Sequence, residues 1–186
     1  MRTVTYSVAC SLDGFIAGPD GALDWMHFSE DAQKAMAQTW SSVDAILMGR
    51  KTWDFAVSHA DASGTGDAES QAAEPAGPVT YVFSRTLGEI RAPGVQLVSS
   101  GAGDFVRDLK RGPGRDIYLM GGGELAQSLF EAGVIDKVEL NIHPVLLGSG
   151  VPLFRDAGRR VGLELVESRT IDGGCVLTSY RVTESG

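Results

Sequence analysis

The stretch from residue 116 to residue 125 constrains the fold most strongly, because an apolar run, three glycines and a helical pattern follow one another there. Residues 117–120 are apolar and lie between glycine-rich segments, which is typical of a buried central strand. Leu125 and Leu129 then recur at helical spacing, and Gly133 provides a stop signal. The stretch therefore predicts a buried strand that passes through a glycine turn into a helix.

The glycine turn itself, made of Gly121, Gly122 and Gly123, leaves two roles open. Glycine allows a backbone to approach a ligand closely, and the free N–H groups of the following helix form an anion site. Similar turns also occur for packing alone, and the spacing is not that of the dinucleotide fingerprint G-x-G-x-x-G. Glu124 at the helix start suits the helix dipole but would repel a nearby phosphate.

The chain of 186 residues has the length of one domain with a sizeable core, so we expect residues 1–186 to form a single domain. Its hydrophobic content of 43% and charged content of 22% are ordinary for a soluble globular protein. The formal net charge of −8 argues against nucleic acid as a partner, because nucleic-acid binding needs a basic face. The charge still allows a phosphorylated cofactor that a few local cations hold.

The sequence also predicts where the protein resides. No apolar run approaches the ~20 residues of a membrane span, and Met1 leads directly into a strand pattern without a signal peptide. We therefore expect a cytoplasmic protein without a membrane partner. Cys10 and Cys175 lie in apolar, strand-like runs, which favours buried thiols over a disulfide.

Apolar runs and helical patterns alternate over most of the chain, whereas the C-terminal third is composed of strands only. The first half of the chain is predicted to form strands at residues 4–10, 43–48, 79–83 and 95–98, with a helix capped by Ser29 between the first two. The second half is predicted to form a helix at 103–109, strands at 117–120 and 137–142, and a hairpin of 163–168 with 175–182. This order predicts an α/β fold with a central, mostly parallel mixed sheet, flanking helices and an antiparallel C-terminal hairpin.

Residues 58–78 differ from the rest of the chain. They are rich in alanine, serine, glycine and acidic residues and contain almost no core formers. We expect a long surface loop within the domain, because the segments on either side are too short to fold alone.

Three predicted strands end in residues that are suited to ligand binding. The groups are Gly49, Arg50, Lys51 and Thr52; Ser84 and Arg85; and the glycine turn. The carboxyl ends of parallel strands share one edge of the sheet, where ligands bind. Arginine and serine at a strand end suit a 2′-phosphate, because the guanidinium group can form two parallel hydrogen bonds. The combination favours a dinucleotide with several phosphates over three unrelated turns.

Several stretches resemble known families. Residues 48–53 and 120–123 resemble the two cofactor motifs of dihydrofolate reductases, the second of which carries a cis peptide between paired glycines in that family. Residues 13–25 resemble the flexible active-site loop of the same enzymes. Residues 11–14 and 143–154 are more similar to the reductase domain of the riboflavin-biosynthesis deaminase–reductase. The chain is most similar to the stand-alone branch of that superfamily, over nearly its whole length except residues 58–78.

The resemblance implies a dihydrofolate-reductase-like fold that binds NADPH and forms a homodimer. Site residues carry over by position. Those expected to line the nicotinamide are Ala9, Ile16 and Ala17; those for the phosphates are Gly49, Arg50, Lys51 and Thr52; those for the 2′-phosphate end are Ser84 and Arg85; those of the second cofactor motif are Met120, Gly121, Gly122, Gly123, Glu124 and Leu125; and Trp25 of the loop is expected to contact the substrate.

A C=N or C=O acceptor takes a proton together with the hydride, and a buried carboxylate can deliver that proton through water. The candidates are Asp13, Glu30 and Asp31, with Asp24 ranked below them. Glu30 and Asp31 also fit a simpler role as helix-start acids, and Asp13 fits a role in shaping a turn. The sequence contains no His, Cys or Asp cluster at metal-ligand spacing, so we expect no metal site.

Three functions fit these features. The first is an NADPH-dependent reductase of a small pterin- or pyrimidine-like heterocycle. The second is the riboflavin-pathway 5-amino-6-(phosphoribosylamino)uracil reductase, against which Met120 argues, because that family usually has a substrate-contacting glutamate there. The third is a dinucleotide-binding protein without catalysis.

Overall fold

The computed structural model describes residues 1–62, 77–155 and 160–183. Its strands are β1 (Val4–Ser11), β2 (Phe15–Ala17), β3 (Val43–Gly49), β4 (Val79–Phe83), β5 (Val95–Val98), β6 (Asp116–Met120), β7 (Lys137–His143), β8 (Val151–Pro152), β9 (Gly162–Thr170) and β10 (Val176–Thr183). Its helices are α1 (Glu30–Ser42), α2 (Arg50–Ala62), α3 (Ala102–Arg111) and α4 (Gly123–Glu131), with a 3-10 turn at Asp172–Gly174. Among the described residues, no helix has the length and apolar character needed to cross a membrane.

The central sheet has the strand order β5-β4-β3-β6-β1-β7-β10-β9. Neighbouring strands from β5 to β7 are parallel, whereas β10 runs antiparallel to both β7 and β9. The predicted fold, a mostly parallel sheet with an antiparallel C-terminal hairpin, is confirmed. Strands β2 and β8 form a separate two-stranded antiparallel sheet, which was not predicted, because strands of two and three residues carry no periodic pattern.

The two faces of the central sheet are covered by different helices. On one face, α3 and α4 pack their apolar side chains, including Val106 and Leu129, against Tyr6 and Leu119 of the sheet. On the other face, Trp40 of α1 and Trp53 of α2 pack against a smaller cluster of buried residues from β3, β4 and β6. Cys10 and Cys175 are both buried free thiols.

Helix α1 begins as predicted, with the Ser29 side chain accepting a hydrogen bond from the Ala32 N–H at 3.2 Å. No residue of α1 is fully buried, although Trp40 packs against the sheet. Ala32, Ala35 and Met36 instead border an open cleft above the sheet. The helix therefore acts as the wall of a cavity.

The predicted loop at residues 58–78 needs a correction at its start. Helix α2 continues to Ala62, so residues 58–62 are helical. Two alanines favour the helix there, and no glycine or proline interrupts it before Gly64. Residues 63–76 lie outside the described part of the chain, and the prediction for them stays untested.

Candidate functional site

The three strand ends whose residues are predicted to bind a ligand lie side by side. Strand β3 is flanked by β4 and β6, and its last residues, Met48 and Gly49, are paired in register with Met120 and Phe83. The turns that follow β4, β3 and β6 therefore leave the sheet at the same edge. In parallel sheets this carboxyl edge is where ligands bind.

The glycine turn after β6 is packed against the first turn of α2. Gly121 and Gly122 have φ values of +59° and +62°, a conformation that side chains rarely adopt. A Cβ atom on Gly121 would lie 2.9 Å from the Thr52 hydroxyl oxygen, so only glycine fits this position without displacing Thr52. The peptide bond between the two glycines is trans. Thr52 and the glycine turn, predicted to hold phosphates, are thus in direct contact.

The cations at this edge differ in their surroundings. Arg50 donates hydrogen bonds to the Asp54 carboxylate at 3.3 Å and to the Thr86 hydroxyl at 3.0 Å, and so connects the turns after β3 and β4. Lys51 and Arg85 are exposed and make no hydrogen bond or ion pair with the described residues. Ser84 accepts hydrogen bonds from the backbone N–H groups of the two residues after Arg85 and so shapes this turn.

Helix α4 begins at Gly123 without a side-chain cap, so its first N–H groups are not satisfied by a capping residue. Glu124 forms an ion pair with Arg155 at 3.2 Å, which offsets the negative charge that the sequence places at this helix start. Leu125 is buried and packs into the core, so its side chain has a structural role.

The residues predicted to line the nicotinamide lie on β1 and β2. Ala9 is half-buried on β1. Ile16 is half-buried and packs against the core, and Ala17 is buried where β2 pairs with β8. Trp25 is half-buried and its ring packs edge-on against His143, with centroids 5.3 Å apart. This contact places Trp25 beside a residue that lines the cleft described next.

A cleft of about 580 Å³ lies between α1 and the central sheet, and we call it the α1 cleft. Residues of α1 and of the loop before it form one wall, while β1, β6, β7, β10 and β9 supply the rest. Side chains from the sheet that line it include Ser7, Ala9, Tyr118, Glu139, Asn141, His143, Glu167, Arg169, Leu177 and Ser179. Ala9 belongs both to this lining and to the predicted nicotinamide contacts, so the cleft adjoins the predicted cofactor site.

Glu139, Asn141 and Ser179 were not among the predicted site residues. They alternate with the core residues of their strands, and the alternation was visible in the sequence for β7. A polar strand face is usually solvated, and the sequence does not reveal that α1 crosses it. The signal that could have identified them is a carboxylate followed two residues later by an amide on a central strand.

The three predicted carboxylates occupy different environments. Asp13 accepts hydrogen bonds from the Ser11 hydroxyl at 2.6 Å and from the N–H groups of Leu147 and Gly148 at 3.1 and 2.7 Å. The hydrogen bond from Ser11, followed by those from the backbone, lowers the pKa of Asp13. Through these hydrogen bonds Asp13 connects the loop after β7 to the turn after β1. Because its pKa is lowered, its carboxyl group is poorly suited to donate a proton.

Glu30 and Asp31 occupy the first turn of α1 and both lie within 4 Å of the Lys34 ammonium group, at 3.6 and 3.9 Å. The Glu30 side chain is 86% exposed and that of Asp31 is 42% exposed. Neither is among the described residues that line the α1 cleft, and neither is Asp24, which is exposed. Their catalytic role stays a prediction.

Two titratable groups in the cleft have shifted pKa values. Burial raises the pKa of Tyr118. A side-chain hydrogen bond with Ser7 lowers this pKa, and the nearby Glu139 carboxylate raises it. Burial, and then the neighbouring His27, lowers the pKa of His143. The Nδ1 atom of His143 accepts a hydrogen bond from the His27 N–H at 3.3 Å and lies 3.4 Å from the Cys175 sulfur. Tyr118 is therefore a neutral hydroxyl and His143 a neutral imidazole near pH 7.

No group of three or more His, Cys, Asp or Glu side chains is arranged to hold a metal ion within the described ranges. The thiols are also poorly suited to nucleophilic chemistry, since burial raises the pKa of Cys10 to about 11 and raises that of Cys175.

The fold and these contacts define an α/β fold in which the turns after three neighbouring parallel strands share one edge of the sheet and a cleft lies beside that edge. Residues 2–177 match the family model of the RibD C-terminal domain, and the chain belongs to this family. The predicted relation to the reductase domain of the riboflavin-biosynthesis enzyme is thereby confirmed.

The chain is 34% identical over 180 residues to uncharacterized protein YyaP of Bacillus subtilis (strain 168), a match that covers 96% of this chain and 94% of that protein. It is 28% identical over 163 residues to riboflavin biosynthesis protein RibD of Mycobacterium tuberculosis (strain ATCC 25618 / H37Rv), covering 83% of this chain but only 46% of RibD.

Solved structures agree with this assignment. The crystal structure of a Shewanella sp. PV-4 protein assigned to riboflavin biosynthesis superposes with a TM-score of 0.80 at 26% identity and covers 98% of this chain and 100% of that one. The deaminase/reductase of Thermotoga maritima superposes with a TM-score of 0.70 at 16% identity, over 98% of this chain and 57% of that one, and shows similarity of fold alone.

Proposed function

We propose that the chain is an NADPH-dependent reductase that transfers a hydride to a small, pterin- or pyrimidine-like heterocycle. The observation that carries this proposal is the continuity of two features. The turns after β4, β3 and β6, which are predicted to hold the cofactor phosphates, share one edge of the sheet, and the α1 cleft begins beside them at Ala9. Membership of the RibD C-terminal domain family supports the oxidoreductase class.

NADPH supplies the hydride when bound, and the protein binds and orients both reactants. Lys51 and Arg85, which are exposed at the shared edge, are the cations available for phosphate groups, with Arg85 directed to the 2′-phosphate. The N-terminus of α4, which no side chain caps, and the glycine turn are suited to the pyrophosphate, because Arg155 compensates the charge of Glu124. The nicotinamide is assigned to Ala9, Ile16 and the start of the cleft.

The proton for the reaction has to enter through the cleft or its rim. Of the two helix-start acids, Asp31 has the less exposed side chain and directly precedes Ala32, which lines the cleft. We therefore retain Asp31 as the stronger candidate and Glu30 as the weaker one. Asp13 serves to position the loop after β7.

The binding step is tested by titrating the protein with NADPH and with NADH while the fluorescence of the reduced cofactor is followed. Tight binding of NADPH and weaker binding of NADH are expected. Absence of binding by either cofactor below millimolar concentration would overturn the proposal. Binding without oxidation across a panel of pterins, pyrimidines and quinones would favour the alternative of a non-catalytic dinucleotide-binding protein.

The riboflavin-pathway reaction, reduction of 5-amino-6-(phosphoribosylamino)uracil, is the second candidate, and the names of the RibD relatives favour it. Met120, at the position before the glycine turn where the resemblance implies a glutamate, argues against it. Complementation of a bacterial strain that lacks this reductase step decides between the two, and we expect no growth. Growth comparable to that with the native gene would establish the riboflavin reaction.

We further propose that the protein is a cytoplasmic homodimer. Strand β9 forms one edge of the central sheet, and its residues 163–170 are exposed. Leu163, Leu165 and Val166 are large apolar residues on this strand, which is an unusual composition for an unpaired edge. A second copy of the chain is the partner that we assign to this edge.

A further inference from the structure

The floor of the α1 cleft carries a row of polar side chains across neighbouring strands. Ser7 of β1 is paired in register with Glu139 of β7, Glu139 with Ser179 of β10, and Ser179 with Glu167 of β9. Paired residues of adjacent strands point to the same face of the sheet. The row therefore runs across the sheet from its centre to the β9 edge.

A second row lies one step nearer the carboxyl edge of β1 and β7. It consists of Ala9, Asn141, Leu177 and Arg169, which are again paired in register. Ala9 is one of the three residues predicted to line the nicotinamide, and Asn141 is its direct neighbour on β7. A ring that lies over Asn141 and Glu139 would therefore be next to the position of hydride transfer.

Unpaired polar atoms are concentrated in the same place. Within the described residues, three buried side-chain oxygens lack a hydrogen-bond partner, those of Asn141, Thr178 and Ser179. Asn141 and Ser179 belong to the two rows on the cleft floor, whereas Thr178 lies between Leu177 and Ser179 on β10 and therefore faces the opposite side of the sheet. Buried polar atoms without a partner are rare in native proteins and call for an explanation. A ligand that brings N–H donors into the cleft would provide the missing partners.

Glu139 completes this acceptor surface. Its Oε1 atom accepts a hydrogen bond from the Lys137 ammonium group at 2.7 Å, and its Oε2 atom accepts none from the described residues. The Glu139 side chain is only partly exposed, so it combines a fixed position with one free acceptor. Charged acceptors form the stronger hydrogen bonds in protein recognition.

We infer that Glu139 is the carboxylate that anchors the substrate, with Asn141 and Ser179 as further acceptors, and that the substrate presents adjacent N–H groups along one edge. An aminopyrimidine ring, alone or within a pterin, has this edge. The inference rests on the proposed function for the assignment of the α1 cleft as the substrate site, and it adds the recognition residues and the chemistry they select.

Calorimetric titration without cofactor tests the inference, with 2,4-diaminopyrimidine as the probe and 2,4-dimethylpyrimidine as a probe of similar shape that lacks N–H donors. We expect the wild type to bind the diamino compound at least about tenfold more tightly, the scale of one hydrogen bond to a charged group. The E139Q variant should lose that preference. The E164Q variant, which removes a β9 carboxylate outside the cleft lining, should bind like the wild type.

Equal affinity of the wild type and E139Q for the diamino compound, or no measurable binding to the wild type, would overturn the inference. Backbone NMR spectra of the wild type provide a second measurement that does not depend on the folding of a variant. The amides of Ser7, Asn141 and Ser179 should shift on addition of the probe, and shifts confined to other strands contradict the assignment. Failure of NADPH to bind would reject the reductase function and leave the result with the pyrimidine probes intact.

Discussion

At the scale of single residues, Gly121 and Gly122 allow a matched comparison. Both have positive φ, so an alanine at either position costs roughly 1–2 kcal/mol in backbone strain. At Gly122 the nearest atoms to an added Cβ are 3.8 Å away, whereas at Gly121 the Thr52 hydroxyl oxygen is 2.9 Å away. We expect Gly121→Ala to lower the free energy of unfolding by about 1–3 kcal/mol more than Gly122→Ala, as overpacking does. Urea denaturation measures both.

The Thr52→Ala background is the control for this comparison, because it removes the atoms that an added Cβ would meet most closely. In that background the excess cost of Gly121→Ala should disappear, while the cost of Gly122→Ala should not change. An excess cost that persists would place the strain elsewhere than in the contact between Thr52 and the glycine turn.

His143 gives a residue-scale prediction for pH dependence. Burial and His27 lower its pKa in the folded state, so the unfolded chain takes up a proton at a higher pH than the folded chain does. The stability that neutral His143 contributes is complete above its ordinary pKa of about 6.5 and is lost as the pH falls below that value. The slope from one proton is at most about 1.4 kcal/mol per pH unit.

The measurement is the free energy of unfolding between pH 7.5 and about pH 5 for the wild type and for His143→Gln. The variant should start from a lower stability, since Nδ1 of His143 accepts the His27 N–H, but it should decline less steeply. Parallel curves for the two proteins would show that His143 does not carry the dependence.

At the scale of elements, Lys110 connects the end of α3 to the strands. Its ammonium group donates to the Val134 carbonyl at 3.0 Å and to both Asp136 oxygens at 2.8 and 2.7 Å, and its side chain is 9% exposed. Asp136 in turn accepts the Val4 N–H at the start of β1. We expect Lys110→Met to cost about 2 kcal/mol, because it leaves a partly buried carboxylate without its cation.

Lys34→Met is the matched control for Lys110, because Lys34 is exposed and its acidic neighbours lie at 3.6 and 3.9 Å. Exposed ion pairs contribute little, so this variant should stay within about 0.5 kcal/mol of the wild type. Similar losses for the two variants would mean that the Lys110 contacts contribute no more than a surface pair.

The turn after β4 carries the prediction about cofactor choice. Arg85 is exposed there and is assigned to the 2′-phosphate, which NADPH has and NADH lacks. Arg85→Ala should weaken NADPH binding by about 1.5–3 kcal/mol and leave NADH binding unchanged. Arg91→Ala, which removes an exposed arginine paired with Glu89, should change neither affinity. Fluorescence titration measures all four affinities, and an equal loss for both cofactors contradicts the assignment.

Elements also show how far sequence reasoning reached. The strand that ends at Met120, the helix that ends before Gly133 and the C-terminal hairpin were predictable because apolar periodicity and glycine mark them locally. The pairing of β2 with β8 was not, because it depends on residues far apart in sequence and on strands too short for a pattern. For the same reason the position of α1 as a cleft wall was not predictable, because the sequence specifies an apolar helix face and does not specify what lies opposite.

At the scale of the whole molecule, the candidate site arises from the different coverage of the two sheet faces. Helices α3 and α4 bury one face, whereas α1 and α2 leave part of the other open above β1, β7 and β10. The strand-end turns were predictable because each is a local motif. The polar rows on the cleft floor were not, since Glu139 and Asn141 acquire their significance only when α1 crosses the sheet above them.

The exposed β9 edge leads to a prediction about assembly. Leu165 is 54% exposed on this strand, and an edge with unpaired backbone groups and apolar side chains favours pairing with another chain. If a second copy covers it, Leu165→Lys places a charge in the interface, and light scattering after size-exclusion chromatography should show a shift from dimer to monomer. Leu146→Lys is the control, because Leu146 is 70% exposed in the loop after β7 and lies outside this edge. A wild type that is monomeric at all concentrations, or a dimer that both variants retain, contradicts the assignment of β9 as the interface.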